Sequence, residues 1–227
     1  MIRRPPRSTP GVASAASDVY MCGMGYERVG LWGLYKGAEL ALTAGSLLPG
    51  LVNAVVAVSP INTVCQGFVM ERGITVAPGS TWSFHGEEVP YTGFGVEKFP
   101  LGHVLRKSVM AREVTMYDLY LPLVKSPDSA AAIRAEEITG PLLLISSRMD
   151  TMWPSTEAAE RIMVRLREKR FSYACEHLCY DYGCHLFVPM ELRLAKFFKG
   201  DRGKNRGLGR RARMDSLIKT LEFVSRW

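Results

Sequence analysis

No run of about eighteen apolar residues, the length a helix needs to cross a bilayer, occurs in this chain of 227 residues, so no membrane span is expected. The first residues also lack the apolar core of a signal peptide. Cysteine is scarce and odd in number, five at irregular spacings, which argues against a disulfide framework and suits a reducing, cytoplasmic compartment. Acidic residues are in deficit, 22 against 29 Lys and Arg, for a formal charge of +7. That excess alone would suggest an anionic partner. Its distribution argues otherwise. Eight Lys or Arg fall between Lys196 and Arg213 against the single acid Asp201. The reading is a solvated basic linker over 200–211 ahead of a C-terminal helix over 212–227, and no nucleic-acid partner is expected.

What is present is enough apolar material, 47% of residues with 10% aromatic, to bury one good core. The opening MIRRPPRST, residues 1–9, reads as adapter sequence translated as protein. The expectation is therefore that residues 10–227 form a partial domain whose first strands lie further upstream, leaving an unpaired sheet edge.

The chain is organised around RVGLWGLYKGAELALTAGSL, Arg28 to Leu47. Val29-Gly30-Leu31-Trp32 is too short for a helix and has the character of a buried strand. Gly33-Leu34-Tyr35-Lys36-Gly37 follows, and Ala38, Leu40, Ala41, Leu42 and Ala44 continue as helix formers. Strand, Gly-x-Tyr-x-Gly and helix make the local plan of a nucleophile elbow, where a strained turn lifts one side chain clear of a sheet. An elbow normally carries Ser or Cys at its apex. Here it carries Tyr35.

Asn53–Ser59 is β-branched and uncharged, a second buried strand, and Leu142–Ser146 is a third. Phe171–Tyr180 is expected as a fourth. Strands alternating with amphipathic helices, such as the one opening at Pro154-Ser155-Thr156-Glu157, predict an α/β fold with a mostly parallel sheet. Residues 63–135 break that rhythm as a cap-like insertion. Within it a small hairpin is expected between Trp82–Phe84 and Val89–Tyr91, and a helix over 110–123 that Pro122 ends early. Leu192–Phe198 reads as a further short helix.

In a parallel α/β sheet, sites form outside the carboxyl ends of the strands. Three loops leaving such ends carry Tyr35, Asp150 and His185, in the order nucleophile, acid, histidine. His185 would be the general base and Asp150 the group that fixes its orientation. The backbone N–H of Lys36, next to the apex, would serve an oxyanion. Cys175, His177, Cys179, Cys184 and His185 also cluster, but Cys175 and Cys179 on one extended strand would stand about 13 Å apart, too far for one zinc. No metal and no cofactor are expected.

These residues resemble the C-terminal catalytic domain of the acyl-CoA thioesterase and bile acid-CoA:amino acid N-acyltransferase family, among the dienelactone-hydrolase-like α/β-hydrolases. Gly33-Leu34-Tyr35-Lys36-Gly37-Ala38-Glu39-Leu40 is similar to the family elbow G-x-[Ser/Cys]-K-G-[Gly/Ala]-E-L everywhere except the apex. Asp150 with Trp153, and Gly183-Cys184-His185, are similar to the acid and histidine loops. The resemblance implies a partial α/β-hydrolase fold and thioester chemistry on an acyl-CoA or other activated acyl substrate, through an acyl-enzyme, in fatty-acid metabolism. It also places the family's second oxyanion donor upstream of this chain. The departure at Tyr35 admits an alternative, an inactive α/β-hydrolase-fold protein that binds acyl ligands or partners. One base separates Tyr codons from Ser or Cys codons, and retention of Lys36, Glu39, Asp150 and His185 favours a recent or artefactual change at position 35. Hydrolysis versus transfer, and oligomeric state, are not legible in the residues.

Overall fold

The computed structural model describes residues 29–227 except 71–72, 97 and 189–192. The adapter-like start lies outside the described residues. Four strands form the central sheet: β1 (Val29–Leu34), β2 (Val52–Val58), β7 (Leu142–Ser147) and β8 (Cys175–Tyr180). Their order is β1-β2-β7-β8 and every pairing is parallel. Helices cover both faces, giving an α/β fold.

The two central strands explain why. All of β7 and all but one residue of β2 are buried. With side chains alternating across the pleat, Val55, Ala57, Leu142 and Leu144 face one side and pack on α1 (Lys36–Leu47) and α4 (Ser155–Glu168). Val56, Val58, Leu143 and Ile145 face the other, against Phe187 and against Ala212 and Phe223 of α5 (Arg206–Arg226). Each such Val, Leu or Ile contributes about 1.5–3 kcal/mol when fully buried. Nothing charged interrupts these strands because neither face meets water.

The insertion is built of β3 (Gln66–Met70) and β4 (Ile74–Ser80), the small hairpin β5 (Ser83–Phe84) and β6 (Glu87–Glu88), and helices α2 (Leu101–Ala111) and α3 (Tyr117–Lys125). The hairpin turns at His85 and Gly86, both at positive φ, the backbone a two-residue turn of type I′ requires. Val89 N–H bonds the Trp82 carbonyl at 3.1 Å, so the first arm pairs as expected, but its partner runs over 87–89 rather than Val89–Tyr91 because the turn at His85 and Gly86 sets the register.

Three boundaries differ from expectation. The single helix over 110–123 is two helices, because Arg112 turns left-handed at φ 55 and closes α2. Pro122 does not end α3 but sits inside it, where burial of Tyr120, Leu123 and Val124 outweighs the missing hydrogen bond. The fourth strand begins at Cys175 rather than Phe171. Its partner β7 begins at Leu142, opposite Cys175, and Phe171 is spent on leaving α4 with its N–H on the Leu166 carbonyl. At 193–197 the chain makes a short 3-10 turn.

The C-terminal helix reaches back to Arg206, into the stretch expected as a basic linker. The reason is an ion pair. Arg213 and Asp201 are both buried and in direct contact. Gly209 allows this, since a Cβ there would overlap the Asp201 carboxylate and its neighbour's carbonyl. Removing one member of a buried pair strands the other charge and costs about 3–5 kcal/mol, whereas an exposed pair contributes about 0–1 kcal/mol. Asp201→Ala is therefore expected to lower the unfolding free energy from urea titration by about 3 kcal/mol or more. Asp181→Ala, which breaks the exposed contact to Arg148, should change it by less than about 1 kcal/mol.

Candidate active site

Tyr35 links β1 to α1 at φ 58 and ψ −121, a conformation that costs about 1–3 kcal/mol in a residue with a side chain. Backbone bonds hold it there: its N–H donates to the Val58 carbonyl at 3.1 Å, and its own carbonyl accepts from Ala38 and Glu39. Gly33 must be glycine because a Cβ there would run into the carbonyl of Gly37. Lys36 is the first residue of α1, where helix geometry leaves a backbone N–H without an intrahelical acceptor.

Asp150 and His185 meet. Nδ1 of His185 lies 2.9 Å from Oδ2 of Asp150, and both residues are buried. The carboxylate is otherwise fully engaged. Oδ2 accepts from the Ser155 hydroxyl at 2.6 Å, and Oδ1 from the backbone N–H of Met152 and Trp153 at 3.0 and 3.4 Å. A carboxylate accepts only, so the shared proton sits on Nδ1 and Nε2 is left as a base. The Trp153 ring stands edge-on to the imidazole, centroids 4.7 Å apart.

Tyr35 completes the convergence in an unexpected way. Its ring stacks on the His185 imidazole with centroids 4.0 Å apart and planes 10° from parallel. The lone pair of an imidazole nitrogen lies in the ring plane, so a phenol stacked above that plane cannot donate to it. The hydroxyl is buried and has no hydrogen-bond partner among the described residues. Burial, with smaller contributions from Cys184 and Asp150, raises the phenol pKa far above its ordinary value. Tyr35 is thus neither hydrogen-bonded to the base nor ready to ionise. Burial also pushes the Cys184 thiol up to about 11, which keeps it protonated near neutrality.

Several supporting groups were not visible in the sequence reading. Ser59 donates to the His185 carbonyl at 3.1 Å and accepts from the Trp153 indole on its own carbonyl at 3.0 Å. Ser147 donates to the Gly183 carbonyl at 3.2 Å. Both hydroxyls stand at the carboxyl ends of apolar strands, the one signal that could have singled them out. Lys36 Nζ binds Glu39 at 2.6 Å and the Cys65 carbonyl at 2.7 Å, while the Trp82 indole donates to the same Glu39 oxygen at 2.7 Å. The insertion is therefore hooked into the elbow helix. His177 directs Nε2 to the Ser146 hydroxyl at 2.8 Å, and burial lowers its pKa. Among the described residues no group of three or more His, Cys, Asp or Glu is arranged to hold a metal ion.

A positive-φ elbow and a buried carboxylate–imidazole pair, gathered at the carboxyl ends of a parallel sheet, define an α/β-hydrolase-like protein. The family model described as BAAT / acyl-CoA thioester hydrolase C terminal matches residues 23–191, and the chain belongs to that family. A search of the curated proteins found no match. Among solved structures it is similar to an acylaminoacyl peptidase of Pyrococcus horikoshii, at 13% identity and a TM-score of 0.48, over 92% of this chain and 26% of that one. It is also similar to a hypothetical protein of Pseudomonas aeruginosa, at 18% identity and a TM-score of 0.32, over 75% of this chain and 65% of that one. The chain thus spans about a quarter of the first and just under two thirds of the second.

Glu39 gives the site a measurable pH signature. Burial raises its pKa above the ordinary 4.5, and the contacts to Lys36 and Trp82 offset this only in part. A raised folded-state pKa means the contribution to stability is greatest below pH 4.5 and is lost as pH rises through the folded value. Glu39→Gln cannot ionise, so the stability difference between the two proteins is expected to shift in favour of the Gln form as pH rises above 4.5. Parallel urea titrations across that range check the slope.

Proposed function

We propose that this chain carries the machinery of an acyl-CoA thioester hydrolase or acyltransferase, with position 35 as the nucleophile's place, His185 as general base and Asp150 as its orienting acid. The observation that carries the reading is the buried His185–Asp150 contact beneath a strained elbow. Membership of the acyl-CoA thioester hydrolase family supports the reaction class. The substrate would be a fatty acyl-CoA or other activated acid, and the setting fatty-acid metabolism in the cytoplasm. Four free cysteines, at 65, 175, 179 and 184, are compatible with that reducing compartment.

With Ser or Cys at position 35 the proposed steps are those of an acyl-enzyme mechanism. His185 Nε2 takes the proton as Oγ or Sγ attacks the thioester carbonyl. The developing oxyanion faces the Lys36 backbone N–H at the helix start. Collapse expels the CoA thiolate, which takes the proton from His185, and leaves an acyl-enzyme. Water or an amine, deprotonated by His185, then attacks the acyl-enzyme; the bond to Oγ or Sγ breaks, that atom takes the proton back from His185, and the acid or amide is released. Tyr35 packs against a buried apolar cluster that includes Tyr120, Leu123 and Val124.

Tyr35 as it stands favours a second reading, a catalytically silent member that retains the fold. The stacked, buried phenol is the observation behind it. The two readings separate on substitution. Tyr35→Ser or Tyr35→Cys is expected to hydrolyse an acyl-CoA faster than the Tyr35 protein by several orders of magnitude, since loss of a triad nucleophile costs about a million-fold. Released CoA thiol gives the rate, and intact mass gives the acyl adduct. Equal rates in the two forms would place the nucleophile elsewhere. His185→Ala in the Tyr35→Ser background should remove most of the gain.

A further inference from the structure

α2 is a helix turned inside out. Of its eleven residues none is buried. The side that leans on the protein carries Val104, Lys107, Ser108 and Ala111, all only half-buried. The side that faces solvent carries the large apolar residues: Leu101 is 49% exposed, Leu105 56%, Met110 70% and Val109 75%. At 3.6 residues per turn Leu101, Leu105 and Val109 line one outward arc of about 80°, and Met110 faces solvent beyond Arg106. An amphipathic helix placed by hydrophobic burial alone would be rotated half a turn from this.

The charge around that arc has one sign. His103, Arg106 and Lys107 lie within α2 and Arg112 caps it, with no Asp or Glu between Leu101 and Arg112. A second segment joins the patch at the helix's end. Val114 N–H bonds the Phe197 carbonyl at 3.2 Å, which brings up Leu194 and Phe197, both exposed, with Lys196 over the Phe197 ring. Among the described residues Glu113 pairs with Lys199 and Asp118 with Lys107.

We propose that α2 and the adjoining 194–197 turn form a docking surface for an anionic lipid bilayer, on which the chain lies peripherally. An apolar arc rimmed by Arg and Lys is what an interfacial helix needs: the hydrocarbon side enters the headgroup–acyl boundary while the cations meet lipid phosphates and carboxylates. Nucleic acid fits less well, because its phosphates would face Leu105 and Val109 with nothing to bind. This goes beyond the proposed chemistry and does not depend on it, since no residue of the patch belongs to the elbow or to the Asp150–His185 pair.

Vesicle flotation of the full chain tests it, using phosphatidylcholine alone and an equimolar mixture of phosphatidylcholine and phosphatidylserine. Binding is expected to the mixed vesicles, weakening with salt, and to be much poorer to phosphatidylcholine. Arg106→Gln should weaken it about fivefold. Leu105→Ser combined with Val109→Ser and Met110→Ser should weaken it about tenfold or more, with an unchanged thermal melt because all three side chains are exposed. Failure of the unsubstituted chain to bind mixed vesicles overturns the proposal. Equal binding by the triple variant also overturns it, since attraction would then arise from overall positive charge. A dimer of the unsubstituted chain that the triple variant dissociates, read by light scattering, would assign the face to a second copy instead.

Discussion

A single carboxylate holds the working end of this molecule together. Asp150 leaves the end of β7 and accepts from a side chain of α4, from two backbone N–H groups of its own loop and from the imidazole of His185. Each of those bonds fixes a different piece of chain. The Trp153 indole, set by the same turn, reaches across to the end of β2 at Ser59, and Ser59 in turn holds the His185 backbone. Three strand ends are thus tied through one buried acid. An unpaired carboxylate at that depth would be costly, and four donors at close range make it tolerable. The pair needs no metal to explain its geometry.

Position 35 shows how little of an elbow's geometry depends on the side chain at its apex. The elbow keeps its positive φ, its close glycine approach and its backbone bonds with a tyrosine at the apex. The phenol lies flat over the imidazole and buries its own oxygen without a partner. Stacking contributes about 0.5–1.5 kcal/mol, while an unsatisfied buried hydroxyl costs about 1–3 kcal/mol. The frame around it is the part of the design that persists.

Much of this was legible in the chain, and the reasons are physical. β1, β2 and β7 announce themselves because a strand buried on both faces must be apolar throughout, and few other segments are. The elbow is legible because strand, positive φ and helix leave a spacing of glycines. The order Tyr35, Asp150, His185 follows from loops that must leave the same edge of a parallel sheet. What escaped was of another kind. Ser59 and Ser147 act through hydroxyls whose partners lie more than thirty residues away, and no periodicity marks them. Pro122 was read by its local cost, which three buried neighbours override. α2 escaped because its apolar residues face outward, against the rule by which amphipathic helices are read.

The basic run near the C-terminus is the clearest case of a pattern whose meaning depends on contacts it does not display. Eight cations against one acid read as a solvated stretch, although Lys199 pairs with Glu113 and Lys196 lies over the Phe197 ring. Yet Asp201, the exception in sign, is the residue the structure buries, and it takes Arg213 with it. The pairing has a consequence for the site. Gly200, next to Asp201, lies so close to Gly183 that a Cβ would overlap the Gly183 carbonyl, and its own carbonyl accepts the Gly183 N–H at 3.3 Å. Gly183 stands two residues before His185. The segment that looked like a linker therefore backs the histidine loop, and a buried ion pair beside that loop keeps it there. A charge run is best read by its odd member: the lone acid in a basic stretch is the residue with a fixed partner, and that partner shows which part of the run is structure.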